Sequence, residues 1–297
     1  MIPLKAALDS MPSWRRWRAH ARARRELHLV VERHIAQRLR AINAELATMT
    51  PGTLLLAGNS HAECLGPFLT GLPVVNVGIG GTFAPGYAEQ LPHLTCQVRA
   101  GVAVLFLGSN DILRREKPLS PRSERRFDAA VIQTLTWLRD RAEVVLVAAV
   151  PPLGETAALH RDPAAVLAYT ARLGQLAEAN GGHVFDPFTA LRAGDSGLSI
   201  TDAMAEDGVH LRDYAPLAQN VLQAVLAAAT LGLFIAVIAS HVLWSSSGCG
   251  AQTWRNPVTG QDEAISGARL NLKDIPVCQE ERSTIWRCKN PPHALGI

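Results

Sequence analysis

Apolar residues recur at every third or fourth position over a long stretch near the N-terminus. The stretch runs from Arg22 to Met49 and stops at the turn-forming sequence Thr50-Pro51-Gly52. Such spacing puts apolar side chains on one face of a helix, and proline and glycine interrupt helices. The pattern predicts a long amphipathic helix over this stretch. Its apolar stripe consists of Leu27, Val31, Ile35, Leu39, Ile42, Leu46 and Met49.

Five short apolar runs follow this helix, and helical patterns separate them. Each run is continuous and rich in leucine or β-branched residues, as in strands buried on both faces. Alternating strands and helices indicate parallel strands with crossover helices on both faces. The pattern predicts an α/β protein: a three-layer α/β/α sandwich with a five-stranded parallel sheet of flavodoxin-like winding. The predicted strands are Thr53–Ala57, Val74–Val77, Val102–Leu107, Val144–Val150 and Val184–Phe185, and the predicted helices lie near Ala62–Thr70, Ser123–Arg141 and Ala157–Asn180.

The C-terminal part of the chain differs in composition. No Asp, Glu, Lys or Arg occurs from Tyr214 to Trp254, and the run Leu231–Trp244 is almost wholly apolar. A membrane span takes about 20 residues, so this run alone is too short, whereas 224–244 is long enough. A membrane anchor and an apolar extension packed on the domain both remain open. The resulting division is a basic arm and helix (1–50), a central domain whose last helix ends near residue 229 (51–229), and an apolar segment with a polar, cysteine-containing tail (230–297).

Composition and charge narrow the classes of function. Hydrophobic residues make up 48% and charged residues 19% of the chain, which is typical of a folded domain and not of a disordered one. The net charge of +3 is too small to predict nucleic acid as a partner. The five cysteines match no zinc or CxxC spacing, and their odd number argues against a disulfide framework.

The N-terminal stretch from Trp14 to Arg25 is rich in arginine, but no apolar segment follows it as in a secretory signal. We therefore expect the central domain to be cytoplasmic. The arginines and tryptophans of this stretch fit either a contact with an anionic membrane surface or a solvated arm. The sequence leaves both interpretations open.

Polar stretches follow the predicted strands at the positions where open parallel sheets bind ligands. Those positions lie beyond the carboxyl ends of the strands, so the stretches are expected to meet at one edge of the sheet. Three follow the first three strands and the fourth precedes the final helix. They are Gly58-Asn59-Ser60-His61, Asn76-Val77-Gly78-Ile79-Gly80-Gly81, Gly108-Ser109-Asn110-Asp111 and Asp207-Gly208-Val209-His210.

These stretches contain the residue types that acyl transfer requires. A serine hydroxyl such as that of Ser60 is a poor nucleophile until a base takes its proton. His210 is a suitable base, and Asp207 can hold its other ring nitrogen and so fix the tautomer. Negative charge that develops on the substrate oxygen needs preorganised donors. A glycine allows close approach of a backbone N–H, and a loop asparagine offers a side-chain N–H₂.

In this order and at these intervals, the four stretches resemble the motif blocks of the SGNH (GDSL-type) serine hydrolases, over about Thr53 to Ala229. The resemblance implies Ser60 as nucleophile and a triad completed by Asp207 and His210. It also implies an oxyanion hole. Its donors would be the backbone N–H groups of Ser60 and Gly81 and the side chain of Asn110.

The first block departs from the family pattern. The family has Gly-Asp-Ser, whereas this chain has Asn59 before the serine, which keeps the shape and removes a charge. Ser60, followed by Glu63, also fits a helix capping box. We interpret His61 as a partly exposed loop histidine, with a substrate contact as the alternative, and Asp111 as a turn or cap residue.

The sequence thus predicts a carboxylic-ester hydrolase that works through an acyl-serine intermediate and needs no metal or cofactor. The expected partner is a small-molecule ester, with small acyl or O-acetyl esters as substrates. Two alternatives stay open. One is an SGNH-type O-acyltransferase that uses the same serine, and the other is a non-catalytic, membrane-associated binding module with the same fold.

Overall fold

The computed structural model describes residues 13–246, 254–255 and 262–263 of the chain. The chain divides into two compact units, Met1–Phe234 and Ile235–Ile297. The first contains five strands: β1 (Leu54–Gly58), β2 (Val74–Asn76), β3 (Ala100–Phe106), β4 (Ala142–Ala148) and β5 (His183–Phe185). The described α-helices are α1 (Ser13–Ala47), α2 (Ser60–Leu65), α3 (Ala84–Gln90), α4 (Pro121–Arg139), α5 (Glu155–Ala158), α6 (Pro163–Ala179) and α7 (Ala215–Ser246). In the second unit, β6 (Trp254–Arg255) pairs antiparallel with β7 (Asp262–Glu263).

The five strands form one parallel sheet in the order β2-β1-β3-β4-β5, which confirms the predicted flavodoxin-like winding. The strand order reverses between β1 and β3, and ligand sites in such sheets lie at this switch point. Gly58 at the end of β1 pairs with Phe106 at the end of β3. The loops after these two strands therefore leave the sheet side by side.

Helices cover both faces of the sheet. Side chains alternate along a strand, so Leu55 of β1 joins the core on one face and Leu56 joins the core on the other. On the first face lie α1, α3, α4 and α6; on the second lie α2 and α7. Ile42 and Leu46 of α1 are buried against the sheet, as the apolar stripe predicted. The three-layer α/β/α prediction is confirmed.

Helices α3, α5 and α6 differ from the predictions. The helix predicted near Ala157–Asn180 is broken after Ala158, and Asp162 begins the next helix by accepting a hydrogen bond from the Ala164 N–H at 3.2 Å. Pro163 then occupies the first turn, where proline is tolerated. Helix α3 was not predicted, because its sequence Ala-Pro-Gly has the composition of a turn.

Helix α7 continues past Ala229, where the sequence pattern predicted its end, and reaches Ser246. In the part of the chain that the structure describes, no helix is both long enough and apolar enough to cross a bilayer. The side chains of 231–246 and nearly all of the tail lie outside the described residues. Membrane association through 224–244 therefore stays a prediction.

Candidate active site

The turn between β1 and α2 places Ser60 at the switch point of the sheet. Gly58 has a φ of +121°, and a Cβ atom there would lie 1.9 Å from the carbonyl oxygen of Phe106. Only glycine fits so close an approach. Ser60 then begins α2 and is partly buried. The N-cap of α2 is Asn59, whose Oδ1 accepts a hydrogen bond from the His61 N–H at 3.1 Å, so the capping interpretation of Ser60 is wrong.

Asn59 also joins the first motif block to the third. Its side chain is buried, and its Nδ2 donates to Ser109 Oγ at 2.8 Å. A buried carboxylate at this position would be costly unless it was paired, whereas the neutral amide meets its partners without a charge. Asn59, which stands where the family has aspartate, therefore connects the loops after β1 and β3.

Asp207, His210 and Ser60 form one continuous hydrogen-bonded chain. Ser60 Oγ lies 2.9 Å from His210 Nε2, and His210 Nδ1 lies 2.6 Å from Asp207 Oδ2. Both distances lie within the normal range for hydrogen bonds. With its proton on Nδ1, the imidazole donates to Asp207 and accepts from the Ser60 hydroxyl. The structure thus brings together three residues that span 150 positions of sequence.

The turn from Asp207 to His210 is fixed by its own backbone. Asp207 Oδ1 accepts from the N–H groups of Val209 at 2.9 Å and His210 at 3.0 Å. Gly208 has a φ of +67°, and a Cβ atom there would lie 2.6 Å from the backbone nitrogen of Ala157. The sequence Asp-Gly-x-His therefore folds the carboxylate back onto the imidazole and packs it against α5.

Asp207 carries its charge at neutral pH. Burial alone would raise the pKa of Asp207, but hydrogen bonds from the His210 ring and from the backbone N–H groups of His210 and Val209 outweigh this effect. Its pKa is therefore held below the usual range of aspartates. An ionised carboxylate holds the proton of the imidazole on Nδ1, which leaves Nε2 free to accept from Ser60.

The glycine-rich loop after β2 runs beside Ser60. The side chain of Asn76 anchors this loop, because its Oδ1 accepts from the Gly78 N–H at 2.9 Å and its Nδ2 donates to the Ala62 carbonyl at 2.9 Å. A Cβ atom on Gly80 would lie 3.6 Å from the Cβ of Ser60. Gly81 follows with a φ of +75°. Within the described part of the chain, no hydrogen bond engages the N–H of Gly81 or of Ser60.

Asn110, in the loop after β3, contacts the end of the glycine-rich loop. Its Nδ2 donates to the Thr82 carbonyl at 3.0 Å, beside Gly81, and its Oδ1 accepts from Arg161 Nη2 at 3.4 Å. An amide nitrogen has two hydrogens, so one donor position remains beyond the contact with Thr82. The five site residues predicted from the sequence thus lie on three loops and one turn that meet at one edge of the sheet.

His61 and Asp111 make contacts that hold the structure around the site. His61 is fully buried, so its interpretation as a partly exposed loop histidine is wrong: the Tyr214 hydroxyl lies within hydrogen-bond distance of its Nδ1, at 3.2 Å, and Phe188 packs on its edge. Burial lowers the pKa of His61 to about 3 and keeps the ring neutral. Asp111 Oδ1 accepts from the Ala84 N–H at 2.9 Å, which confirms a capping role at the start of α3.

One residue near the site was missed in the sequence. Arg161 donates from Nε to the Ser109 carbonyl at 3.1 Å, in addition to its contact with Asn110. It belongs to no motif and comes from the break between α5 and α6, which was predicted to be helical. Among the described residues, no three His, Cys, Asp or Glu side chains are grouped as a metal ion would require.

Comparisons with known proteins identify the family and the fold of the chain. The sequence profile of the GDSL-like Lipase/Acylhydrolase family matches residues 53–214, which is more than half of the chain. No curated protein matches the chain. A candidate platelet activating factor from Streptococcus pneumonia superposes with a TM-score of 0.57 and 19% identity, over 69% of this chain and 99% of that one.

A GDSL-like lipase (BT0569) from Bacteroides thetaiotaomicron VPI-5482 superposes with a TM-score of 0.51 and 16% identity, over 64% of this chain and 98% of that one. Likeness at these identities establishes the fold. The profile match establishes the family, because it covers residues 53–214, more than half of the chain. The chain therefore belongs to the GDSL-like lipase/acylhydrolase family, whose chemistry is the hydrolysis of esters.

Proposed function

We propose that the protein is a carboxylic-ester hydrolase in which Ser60 is the nucleophile, His210 the general base and Asp207 the residue that orients His210. The observation that carries the proposal is the continuous chain from Asp207 to Ser60, with contacts of 2.6 and 2.9 Å. Nucleophile, base and orienting carboxylate in hydrogen-bond reach of one another are the arrangement that activates a serine.

The reaction proceeds in two halves. As Ser60 Oγ attacks the ester carbonyl carbon, His210 Nε2 takes the hydroxyl proton, and the resulting tetrahedral intermediate collapses with cleavage of the carbon–oxygen bond to the alcohol. His210 gives its proton to the departing alcohol, which leaves an acyl group on Ser60. Water then attacks this acyl group while His210 takes one of its protons. Collapse releases the carboxylic acid and returns the proton to Ser60.

Three donors stabilise the tetrahedral oxyanion in this proposal: the backbone N–H groups of Ser60 and Gly81 and the second amide hydrogen of Asn110. The loops that carry them are tied together by the contacts of Asn59 with Ser109 and of Asn110 with Thr82. Donors held in place before the reaction stabilise developing charge without reorganisation during it. This supports a catalytic centre over a binding module of the same fold.

Replacing Asn110 with alanine should lower kcat by roughly 10²–10³, the effect of losing one oxyanion donor. KM should change little, because the donor acts mainly on the transition state. Steady-state kinetics on an activated ester measures both values. Asn180→Ala is the control, since Asn180 caps the far end of α6. A change in KM with kcat unaltered would mean that Asn110 binds substrate instead.

For the substrate, we propose small acyl esters, O-acetyl esters among them. The donors recognise the carbonyl group that all esters share, so acyl length has to be decided by measurement. A panel of activated esters of increasing chain length, run beside an acetylated sugar, should show the highest kcat/KM with acetyl. A preference for long acyl chains would contradict this choice.

The same panel separates a hydrolase from an acyltransferase. An added acceptor alcohol should leave the free acid as the main product, because water resolves the acyl-enzyme in a hydrolase. Product analysis by chromatography gives the ratio of acid to transferred ester. Transfer as the main outcome would overturn the assignment as a hydrolase and keep Ser60 as the acyl carrier.

A further inference from the structure

Helix α1 lies before the region that the family profile matches, which begins at residue 53. While Ile42 and Leu46 pack against the sheet, the partly buried polar residues His34 and Arg38 reach the glycine-rich loop and α2. We propose that Arg38, together with Glu63, is a positioning residue that holds the oxyanion loop 76–81 in its catalytic conformation. This inference rests on the proposed function, since it concerns the donor at Gly81.

Arg38 donates hydrogen bonds to two backbone carbonyls of the loop. Its Nε donates to the Gly78 carbonyl at 2.9 Å and its Nη2 donates to the Asn76 carbonyl at 2.6 Å. The guanidinium is a rigid, planar set of donors, so two bonds from one side fix the spacing and direction of the two carbonyls. The side chain is only 14% exposed, which limits competition from water. Glu45 of the same helix adds a contact from Oε2 to the Asn76 N–H at 3.2 Å.

Glu63 holds the opposite side of the loop. Its Oε2 accepts from the Gly80 N–H at 2.6 Å and from His34 Nε2 at 3.2 Å, and its Oε1 lies 3.9 Å from Arg38 Nε. Burial would raise the pKa of Glu63, but the hydrogen bonds from His34 and Gly80 outweigh it and lower the pKa. The carboxylate is thus the ionised partner of both α1 and the loop.

The loop needs this external support because glycines supply no side chains of their own. Gly78 leaves no room for a side chain, since a Cβ atom there would lie 2.6 Å from the backbone nitrogen of Glu63. A Cβ atom on Gly80 would lie 2.9 Å from Glu63 Oε2 and would push that carboxylate out of place. A chain segment of this composition is conformationally free when nothing holds it. Gly81 directly follows the residue held by Glu63. A donor displaced by about 1 Å can cost on the order of 10² in rate.

The experiment compares Arg38→Met with Arg38→Lys and Arg40→Met in the full chain. Arg38→Met removes both donors and retains an unbranched side chain, while Arg38→Lys keeps the charge without the planar fork. Arg40 lies on the exposed side of α1 and is the matched control. Kinetics on an activated ester, thermal unfolding and hydrogen exchange at the Gly80 N–H are measured for each variant.

Arg38→Met should lower kcat by roughly 10- to 100-fold with little change in KM, because the loop acts on the transition state. Arg38→Lys should recover part of that loss, and Arg40→Met should match the parent. Exchange at Gly80 should be at least about tenfold faster in Arg38→Met, as expected when a local opening becomes easier. These results together would support the inference.

A kcat for Arg38→Met within twofold of that of Arg40→Met would overturn the inference. So would a loss of activity that only follows the fraction of unfolded protein. If the parent itself turns over no ester, the proposed function fails and the catalytic half of the inference fails with it. In that case exchange at Gly80 still decides the other half: an unchanged rate in Arg38→Met would show that Arg38 does not hold the loop.

Discussion

Replacing Ser60 with alanine should remove measurable ester turnover and leave the fold intact. The hydroxyl is the only group at this position that His210 can activate, and loss of a triad serine lowers kcat on the order of 10⁶-fold. The helix should survive, because Asn59 and not Ser60 caps α2. Alanine is also the best helix former for the first turn. Turnover of an activated ester and far-UV circular dichroism test the two halves of this prediction.

Ser123→Ala is the matched control for this variant. Ser123 Oγ donates to the Glu116 carbonyl at 2.8 Å at the start of α4 and contacts none of the site residues. It should keep the turnover of the parent. Labelling by a serine-reactive fluorophosphonate should persist in Ser123→Ala and vanish in Ser60→Ala. Near-normal turnover by Ser60→Ala would contradict the assignment of the nucleophile.

Asp207→Asn should lower kcat by about 10⁴, the effect of this exchange in a Ser-His-Asp triad. The asparagine oxygen can still accept from the backbone N–H groups of Val209 and His210, so the turn should persist. Its amide nitrogen would face His210 Nδ1 as a donor and shift the ring proton to Nε2. His210 Nε2 would then carry a hydrogen and could no longer accept the proton of Ser60. Steady-state kinetics and a check of the folded state test the prediction.

The ionised side chain of Asp207 should also make the stability of the folded protein depend on pH. Hydrogen bonds lower the pKa of Asp207 against the opposing effect of burial, so the carboxylate stabilises the folded state above its unfolded pKa, about 4. This contribution is lost as the pH falls through the folded-state pKa. Any advantage in Tm that the parent has over Asp207→Asn near neutral pH should therefore become smaller as the pH is lowered below about 4.

The kinetic prediction has its own contradicting outcome. If the kcat of Asp207→Asn stays within a few-fold of that of the parent, the enzyme works as a Ser–His dyad.

The sheet could be predicted because its strands carry their own signal. Runs such as Val102–Leu107 are continuously apolar, and the structure buries nearly every residue of β3. Helix α3 has no such signal, since its start is held by Asp111 from another loop. The break after Ala158 was missed for a similar reason, because apolar and helix-forming residues continue on both sides of it.

The candidate site could be predicted as far as its residues sit in compact motifs. Asp207 and His210 are three positions apart, so their contact is local and the motif identifies both. The environment of His61 depends on Phe188 and Tyr214, more than 120 positions away, and no local pattern reveals its burial. The contacts of Arg38 with the glycine-rich loop 76–81 join α1 to the end of β2. The helical stripe predicts which face of α1 is apolar and says nothing about what its polar residues reach.

The central claim is that Ser60 carries the acyl group during turnover. Rapid acid quenching of the protein during hydrolysis of an activated acetyl ester, followed by intact-mass and peptide mass spectrometry, measures this directly. The account predicts one acetyl group per chain, located on the peptide that contains Ser60 and absent from Ser60→Ala. An acetyl group on another residue, or turnover without any acyl-protein under conditions where deacylation is slow, would contradict it.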